Sequence, residues 1–241
     1  MISVKFINFY TIEVMGLDSP IASFSVKSNN ENIKIRQTSN YENKLYIDLD
    51  EEIILGNHYQ LELDGVIYEI NMTDLVDDPS FDIKFNYQEN DLGATCIDEY
   101  VIFKVFAPLA YAINVIIDYD NTQKIFALKR KDNGVFYGKF YGFFDKKSYL
   151  YEIHQNGEKI VTLDPYSIAC TLNKGKSVII DKTKFKTKKV ELEKLHSYTD
   201  AIVYETSVRD FTSYPKSEIN YKGTYYGFVE KNRKYKGQAV G

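Results

Sequence analysis

The sequence contains no tryptophan and only two cysteines among its 241 residues. Two cysteines are too few for a disulfide scaffold, so we expect Cys96 and Cys170 to be reduced thiols. The absence of tryptophan removes the best residue for stacking on a flat ligand. Any stacking surface must therefore be built from the 21 tyrosines and 15 phenylalanines.

Long apolar runs and an excess of positive charge are also missing. No apolar run approaches the roughly 20 residues that span a bilayer. Lys5, Asn8 and Glu13 interrupt the N-terminal apolar pattern, so no signal peptide is expected. The formal net charge of −4 argues against a nucleic-acid partner, which requires a basic face. We expect a soluble cytoplasmic protein with neither a membrane nor a nucleic-acid partner.

Metal-binding and catalytic patterns are equally scarce. The histidines His58, His154 and His196 share no metal-ligand spacing, so neither a metal nor another cofactor is expected. Carboxylate pairs such as Asp77 and Asp78 are adjacent in the chain. On a strand they would point to opposite faces, which is the wrong geometry for two groups that converge on one bond. No catalytic residue is predicted in this chain.

Residues 1–80 are predicted to form an N-terminal β-sandwich-like domain, since tyrosine, phenylalanine, isoleucine and valine favour strands. The candidate strands are Val4–Tyr10, Ala22–Val26, Leu45–Leu49, Tyr59–Leu63 and Val66–Ile70. Asp64-Gly65 between the last two is a two-residue hairpin signal. Polar clusters at residues 28–31 and 37–43 predict loops.

Residues 81–185 are predicted to form an immunoglobulin-like β-sandwich, entered through an extended connector over Phe81–Tyr87. The candidate strands are Tyr100–Phe106, Tyr111–Ile117, Gln123–Leu128, Val135–Phe140, Tyr149–His154, Lys159–Leu163 and Ser177–Asp181. About seven strands in roughly 90 residues is the spacing of such a sandwich. Asn156-Gly157 predicts one of its hairpin turns.

Residues 186–241 are predicted to be a linker followed by the beginning of another domain. Ala201–Tyr204 is a continuous β-branched and aromatic run without alternation, which is typical of a parallel strand buried on both faces. Such a strand needs crossover connections and neighbours. The remaining residues show neither, so we interpret this strand as part of a domain that the chain does not contain.

Exposed aromatic residues of the sandwich suggest a carbohydrate-binding surface. Sugar sites place flat rings against the apolar faces of pyranoses and add a few hydrogen-bonding groups. Tyr119, between Asp118 and Asp120 in a predicted loop, is the first candidate ring. Tyr151 and Phe126 are two further candidates, although strand alternation also allows both to lie in the core.

Three motifs occur in a fixed order along the chain. A strand that ends in Phe106-Ala107-Pro108 comes first, Asp164-Pro165-Tyr166 comes second, and the stretch Asp200–Phe211 followed by Lys222–Tyr225 comes third. The residues that carry these motifs are Phe106, Pro108, Asp164, Pro165, Tyr166, Tyr204, Glu205, Arg209, Asp210 and Gly223. Together the motifs resemble the N-terminal portion of type I pullulanases, debranching members of the α-amylase superfamily (glycoside hydrolase family 13).

The resemblance implies an all-β chain with a barrel strand at its end. Residues 81–185 would be a family-48 carbohydrate-binding module, and the third motif would begin a truncated (β/α)8 barrel. Phe106 stands where the family usually has tryptophan, and Ser207 stands where it usually has histidine. The barrel domain that carries the catalytic carboxylates is expected C-terminal to this chain.

The function implied by the resemblance is that of a fragment of an α-1,6-glucan debranching hydrolase. Its partner would be a branched α-glucan, namely glycogen, pullulan or limit dextrin. The 241-residue chain is predicted to be inactive alone, because a barrel takes about 250 residues and this chain supplies about one strand of it. Two alternatives remain: a stand-alone α-glucan-binding protein, and the N-terminal part of an isoamylase or branching enzyme.

Overall fold

A computed structural model describes residues 2–17, 19–173, 175–185, 194–231 and 234–239 of the chain. It divides into two compact units, Met1–Lys186 and Thr187–Gly241. Most of the predicted linker after residue 185 lies outside the described residues.

The first part of the larger unit consists of two four-stranded antiparallel sheets. The strands are β1 (Ser3–Phe6), β2 (Thr11–Met15), β3 (Phe24–Ser28), β4 (Glu31–Ile33), β5 (Ile35–Tyr41), β6 (Lys44–Leu49), β7 (Tyr59–Leu63) and β8 (Val66–Glu69). One sheet has the order β1-β2-β6-β5 and the other β4-β3-β7-β8. Asp64 and Gly65 connect β7 to β8 with positive φ values of 46° and 85°, as the predicted hairpin turn requires.

The two sheets bury one hydrophobic core. Alternate side chains of β6 and β7 are buried, including Leu45, Ile47, Leu61 and Leu63. This period of two confirms the half-buried strands predicted from the sequence. Phe81 belongs to the same core, although it follows the predicted boundary at residue 80. That boundary stays a prediction.

Two predictions for this region are wrong. The predicted loop at residues 37–43 is mostly strand β5, which pairs with β6 through a register shift between Ile35 and Gln37. Its side chains are exposed almost throughout, so an edge strand with a polar sequence looked like a loop. The predicted connector Phe81–Tyr87 begins with a short helix, α1 (Phe81–Lys84), because the Phe81 ring turns inward. A 3-10 turn at Thr73–Asp77 precedes α1.

The second part of the larger unit is a sandwich of two antiparallel sheets. The strands are β9 (Gly93–Ile97), β10 (Tyr100–Phe106), β11 (Ala112–Tyr119), β12 (Thr122–Ala127), β13 (Lys129–Arg130), β14 (Val135–Tyr141), β15 (Ser148–Gln155), β16 (Glu158–Thr162) and β17 (Ser177–Val178). One sheet has the order β13-β14-β10-β9, and the other has the order β12-β11-β15-β16 with β17 paired to β15. The predicted all-β architecture is confirmed.

Strand alternation produces the core of this sandwich. Val101, Phe103 and Val105 point inward from β10, and Ile113, Val115 and Ile117 point inward from β11. The Phe103 ring lies edge-on to the Tyr149 ring, with centroids 5.1 Å apart. Such aromatic contacts add to the stabilisation that burial provides.

The Asn156-Gly157 turn joins the sandwich to the first pair of sheets. The Asn156 amide oxygen accepts a hydrogen bond from the Met72 backbone N–H at 3.0 Å. Its amide nitrogen donates to the Thr73 hydroxyl at 3.2 Å. Nearby, the Tyr111 ring lies between His58, 4.9 Å away, and His154, 6.1 Å away. One side chain of a hairpin turn therefore bonds to the start of the 3-10 turn that follows the preceding sheets.

The described residues of the smaller unit contain two short α-helices and one small hairpin, together with a 3-10 turn at Tyr198–Asp200. The helices and strands are α2 (Val208–Thr212), α3 (Tyr225–Val229), β18 (Lys234–Tyr235) and β19 (Gln238–Ala239). The Phe211 and Phe228 rings stack at 4.9 Å and hold α2 against α3. Ser207 caps α2, since its hydroxyl accepts from the Asp210 backbone N–H at 3.3 Å.

The predicted barrel strand is not formed. Residues 201–207 have no strand structure, and the Ile202 and Val203 side chains are 98% and 88% exposed. A parallel strand requires neighbouring strands, and β18 and β19 pair with each other instead. None of the helices described is long and apolar enough to cross a membrane.

We expect Asn156→Ala to lower the free energy of unfolding by about 1–3 kcal/mol, because the buried Met72 N–H loses its acceptor. Asn156→Asp is the matched control. It keeps the acceptor and tolerates the positive φ of this position, 52°, so most of the stability should remain. Urea unfolding followed by circular dichroism measures both variants. Equal losses in the two variants would contradict the role assigned to the Met72 bond.

Candidate functional site

Tyr119 lies at the end of the sandwich where β11 turns into β12. It is the last residue of β11 and pairs with Thr122 of β12. Its predicted position in a loop is therefore wrong. The preceding residue, Asp118, anchors this turn. Its carboxylate accepts hydrogen bonds from Lys176 Nζ at 2.6 Å and from the Ser148 hydroxyl at 2.6 Å.

Hydrogen bonds from Lys176 and Ser148 lower the pKa of Asp118 to about 2. The Gln123 amide, 3.0 Å away, donates a further bond to this carboxylate. Asp118 therefore stays ionised through the physiological range and ties β11, β15 and the β17 end together. Tyr119 therefore directly follows a carboxylate that is bonded to three side chains.

The Tyr119 ring is partly buried, and the ammonium groups of Lys124 and Lys147 lie close to it. Its edge meets the Phe144 ring at 5.7 Å. Lys124 Nζ lies 3.4 Å and Lys147 Nζ 5.0 Å from the ring centroid. Lysine side chains at a surface are long and mobile, so they can yield the ring face to a ligand and donate hydrogen bonds to its hydroxyls.

The other two predicted rings lie in or against the core. Tyr151 is fully buried, and its hydroxyl donates to the Asp164 carboxylate at 3.3 Å. It offers no ring face to a ligand, so the structure removes it from the candidate surface. Phe126 is partly buried and stacks on Phe140 at 4.4 Å, which covers one face of its ring.

Asp164 is the buried acceptor of a hydrogen-bond network. One oxygen of its carboxylate accepts from the Tyr149 hydroxyl at 2.6 Å and from the Tyr151 hydroxyl. The other oxygen accepts from the Tyr166 backbone N–H at 2.8 Å. The Asp164 backbone N–H donates to the Ser177 hydroxyl at 3.0 Å. Burial and the neighbouring carboxylate raise the pKa of Tyr149 above its usual range.

The remaining motif residues fall into two places. Phe106 ends β10, and the carbonyl oxygen of Pro108 accepts from the Arg130 guanidinium at 2.8 Å. Pro165 and Tyr166 are exposed beside Asp164. In the smaller unit, Tyr204 and Glu205 lie in an exposed segment, Arg209 and Asp210 lie in α2, and Gly223 N donates to the buried Thr212 hydroxyl.

Metal-binding geometry is missing from the part of the chain that the structure describes. No group of three or more histidine, cysteine, aspartate or glutamate side chains is placed there to hold an ion.

The chain is similar to proteins of known family. Residues 91–167 match the model of carbohydrate-binding module 48, described as the isoamylase N-terminal domain. A curated pullulanase of Bacillus subtilis strain 168 is 32% identical over 152 residues, which is 63% of this chain and 21% of the relative. The chain resembles the N-terminal portion of a type I pullulanase. A second relative, pullulanase A of Streptococcus pneumoniae, is 25% identical over 59% of this chain.

Solved pullulanases have the same fold as this chain. The crystal structure of the Anoxybacillus sp. LM18-11 pullulanase matches 100% of it with a TM-score of 0.85 at 24% identity. The type I pullulanase of B. subtilis 168, complexed with maltose, matches 100% of it with a TM-score of 0.82. The chain spans about a fifth of the curated B. subtilis relative, and about a third of these two crystal structures.

Sequence reasoning missed two exposed rings at the same end of the sandwich. Tyr141 ends β14 and Phe143 follows it, and both are exposed. Strand alternation could have found Tyr141, because Phe136 and Gly138 on the same strand face inward. Phe143 lies beyond the strand, where alternation carries no information.

We expect the stability of the protein to fall as the pH drops from 3.8, the ordinary value for aspartate, towards 2, partly because Asp118 becomes protonated. A lowered pKa in the folded state stabilises the fold above the ordinary value, and this contribution is lost below it. Asp118→Asn should lower the free energy of unfolding at pH 7 by about 1 kcal/mol and flatten its decline between about pH 4 and 2. Urea titrations at several pH values measure this.

Asp120→Asn is the matched control for that series. Asp120 pairs with Lys147, but its side chain is 74% exposed, so its effect should stay within about 0.5 kcal/mol. The role of Asp118 would be refuted if the two variants showed the same pH profile as the unmodified protein.

Asp164→Asn should destabilise the sandwich by about 1–3 kcal/mol, because an amide cannot accept all the donors that face the carboxylate. Asp132→Asn also replaces a carboxylate with an amide, but at an exposed position, so it should have little effect. Urea unfolding at pH 7 compares the two variants. Equal stability of both would show that the buried network is dispensable.

Proposed function

We propose that this chain is the N-terminal, non-catalytic part of a pullulanase-like hydrolase that cleaves α-1,6 bonds in branched α-glucans. The observation that carries the proposal is the family-48 module match over residues 91–167, set within a fold that follows pullulanases along the whole chain. The two curated relatives described above are pullulanases, which favours this parent over an isoamylase or a branching enzyme. The substrate would be glycogen, pullulan or a limit dextrin.

The proposed reaction needs two carboxyl groups on either side of the glycosidic bond. One acts as the nucleophile, and the other, with a raised pKa, protonates the leaving oxygen. The motifs of this chain include neither the nucleophile nor the acid. We place both groups in a barrel that follows this chain. A cytoplasmic location is part of the proposal and rests on the sequence.

The contribution of this chain would be to bind the glucan through the sandwich. Pullulanases of known structure have been solved with maltotriose and with maltotetraose, which supports a linear α-glucan as the ligand class. Tyr119 supplies a ring, and Lys124 and Lys147 supply hydrogen-bond donors beside it. A ring with polar groups around it is the usual arrangement for pyranose binding.

The purified 241-residue chain should release no reducing ends from pullulan. Hydrolysis requires two carboxyl groups on either side of the glycosidic bond. In our proposal both groups belong to the barrel and not to this chain. A reducing-sugar assay with a complete pullulanase as positive control measures this. Release above the background of a boiled sample would refute the assignment of catalysis to the following barrel.

Glycogen in a native gel should retard the chain. Tyr119→Ala should weaken this retardation and raise the apparent Kd for glycogen about five- to tenfold, which is the loss expected for one stacking ring. Tyr41→Ala is the matched control, since Tyr41 is an exposed tyrosine of β5 in the first pair of sheets. Migration of the unmodified chain that glycogen does not alter would refute glucan binding. Equal retardation of Tyr119→Ala and Tyr41→Ala would refute the role of Tyr119.

A further inference from the structure

We propose that Tyr100, Tyr141 and Phe143 form a second α-glucan subsite on the outer face of the β10–β14 pair. This inference rests on the proposed glucan-binding function but uses a different sheet from the one that carries Tyr119. The subsite would bind one or two glucose units of the chain whose neighbouring part contacts Tyr119.

Strand register brings the first two rings together. Tyr100 and Tyr141 are directly paired across β10 and β14, and their ring centroids are 6.2 Å apart. The neighbouring residues Val101 and Phe140 point towards the core, so the two tyrosines project from the opposite face. Tyr141 is 77% exposed and Phe143 is 67% exposed. Large aromatic rings that are exposed side by side are typical of a binding surface.

Lys139 holds the pair of tyrosine rings in place. It occupies the position two residues before Tyr141, and therefore projects from the same face of β14. Its Nζ lies 3.9 Å from the Tyr100 centroid and 5.2 Å from the Tyr141 centroid. A cation at this distance stabilises the rings, and its remaining donors are available to ligand hydroxyls.

The turn after β14 connects this subsite to Tyr119. Gly142 has a φ of +142°, and a Cβ at this position would lie 3.1 Å from the Phe144 ring. This close approach lets Phe144 turn into the core, edge-on to the Tyr119 ring at 5.7 Å. Phe143, the residue before it, remains exposed beside Tyr141. Adjacent residues of one turn thus contact Tyr119 through Phe144 and contribute Phe143 to the proposed subsite.

A cleft with polar groups of both signs adjoins the rings. It has a volume of about 600 Å³ and is lined by Asp98, Glu99, Tyr100, Tyr141, Phe143 and Lys184. This volume is within the range of small-ligand sites. The Asp98 and Glu99 carboxylates can accept hydrogen bonds from sugar hydroxyls, and the Lys184 ammonium can donate to them.

The charges around the cleft favour a sugar over a protein as the occupant. Lys184 already pairs with Asp145 at 3.1 Å and with Asp181 at 3.4 Å. One Asp181 carboxylate oxygen is buried without a hydrogen-bond partner among the described residues, so this ion pair is its compensation. A protein interface would have to desolvate these charged groups at its centre, where charged residues are normally depleted. A sugar replaces water with hydroxyl groups and keeps them solvated.

The absence of tryptophan from the chain allows a direct test, because a single introduced tryptophan reports its own surroundings. Phe143→Trp places a reporter in the proposed subsite, and Tyr119→Trp places one in the first site. Each full-length variant is titrated with maltoheptaose while tryptophan emission is recorded. We expect both reporters to respond, with apparent Kd values that agree within about threefold, since one glucan would contact both surfaces.

The pattern of responses separates the two proposals. A response of the Tyr119→Trp variant without a response of the Phe143→Trp variant overturns the second subsite and leaves glucan binding in place. Silence of both variants, together with unaltered migration in glycogen gels, overturns the proposed glucan binding by the sandwich as well. A change in the emission of the Phe143→Trp variant with protein concentration alone would mean that a second copy of the chain covers the rings, which also overturns the subsite.

A second variant tests the rings without a reporter. Tyr141→Ala should raise the Kd for maltoheptaose about fivefold in calorimetry, since one stacking face is lost. Tyr137→Ala is the matched control, because Tyr137 projects from the same face of β14 but lies about 13 Å further along the strand. Equal Kd values for Tyr141→Ala and the unmodified chain would contradict the subsite, and circular dichroism verifies that each variant is folded.

Discussion

The buried carboxylate of Asp164 is the interaction on which the sandwich depends most. It satisfies the hydroxyls of Tyr149 and Tyr151, which are among the largest buried side chains. A tyrosine can enter a core only where its hydroxyl finds a partner, because an unpaired buried polar group is costly. The Asp-Pro-Tyr motif therefore makes possible a core in which tyrosine occupies positions usually filled by apolar residues.

This network also explains how the core is connected to the surface. The Ser177 hydroxyl that accepts from the Asp164 backbone belongs to β17, and the preceding residue, Lys176, reaches the Asp118 carboxylate next to Tyr119. Adjacent residues of one short segment thus bond to the buried network and to the turn that carries the candidate ring. A binding surface on a β-sandwich needs this kind of support, since rings on an unsupported turn would lose entropy when a ligand orders them.

Strands in which apolar and polar residues alternate strongly could be predicted from the sequence. The prediction failed where pairing with other strands, and not the local sequence, determines the structure. Val101, Phe103 and Val105 alternate with outward residues, so β10 was predicted with its correct ends. The polar edge strand β5 carries no apolar signal and was predicted as a loop. The barrel strand at Ala201–Tyr204 has the right local sequence, but a parallel strand is a property of its neighbours. At the candidate site, Tyr119 stays a prediction made from its polar neighbours, whereas the burial of Tyr151 depends on the Asp164 network, which the sequence does not reveal.

We propose that an α-glucan binds at the end of the sandwich where β11 and β14 terminate. A crystal structure of the chain soaked with maltotetraose tests this claim most directly. We expect sugar rings against Tyr119, with the glucan continuing towards Tyr141 and Phe143. Sugar density confined to the first pair of sheets, or to the outer face of β15 and β16, would contradict it.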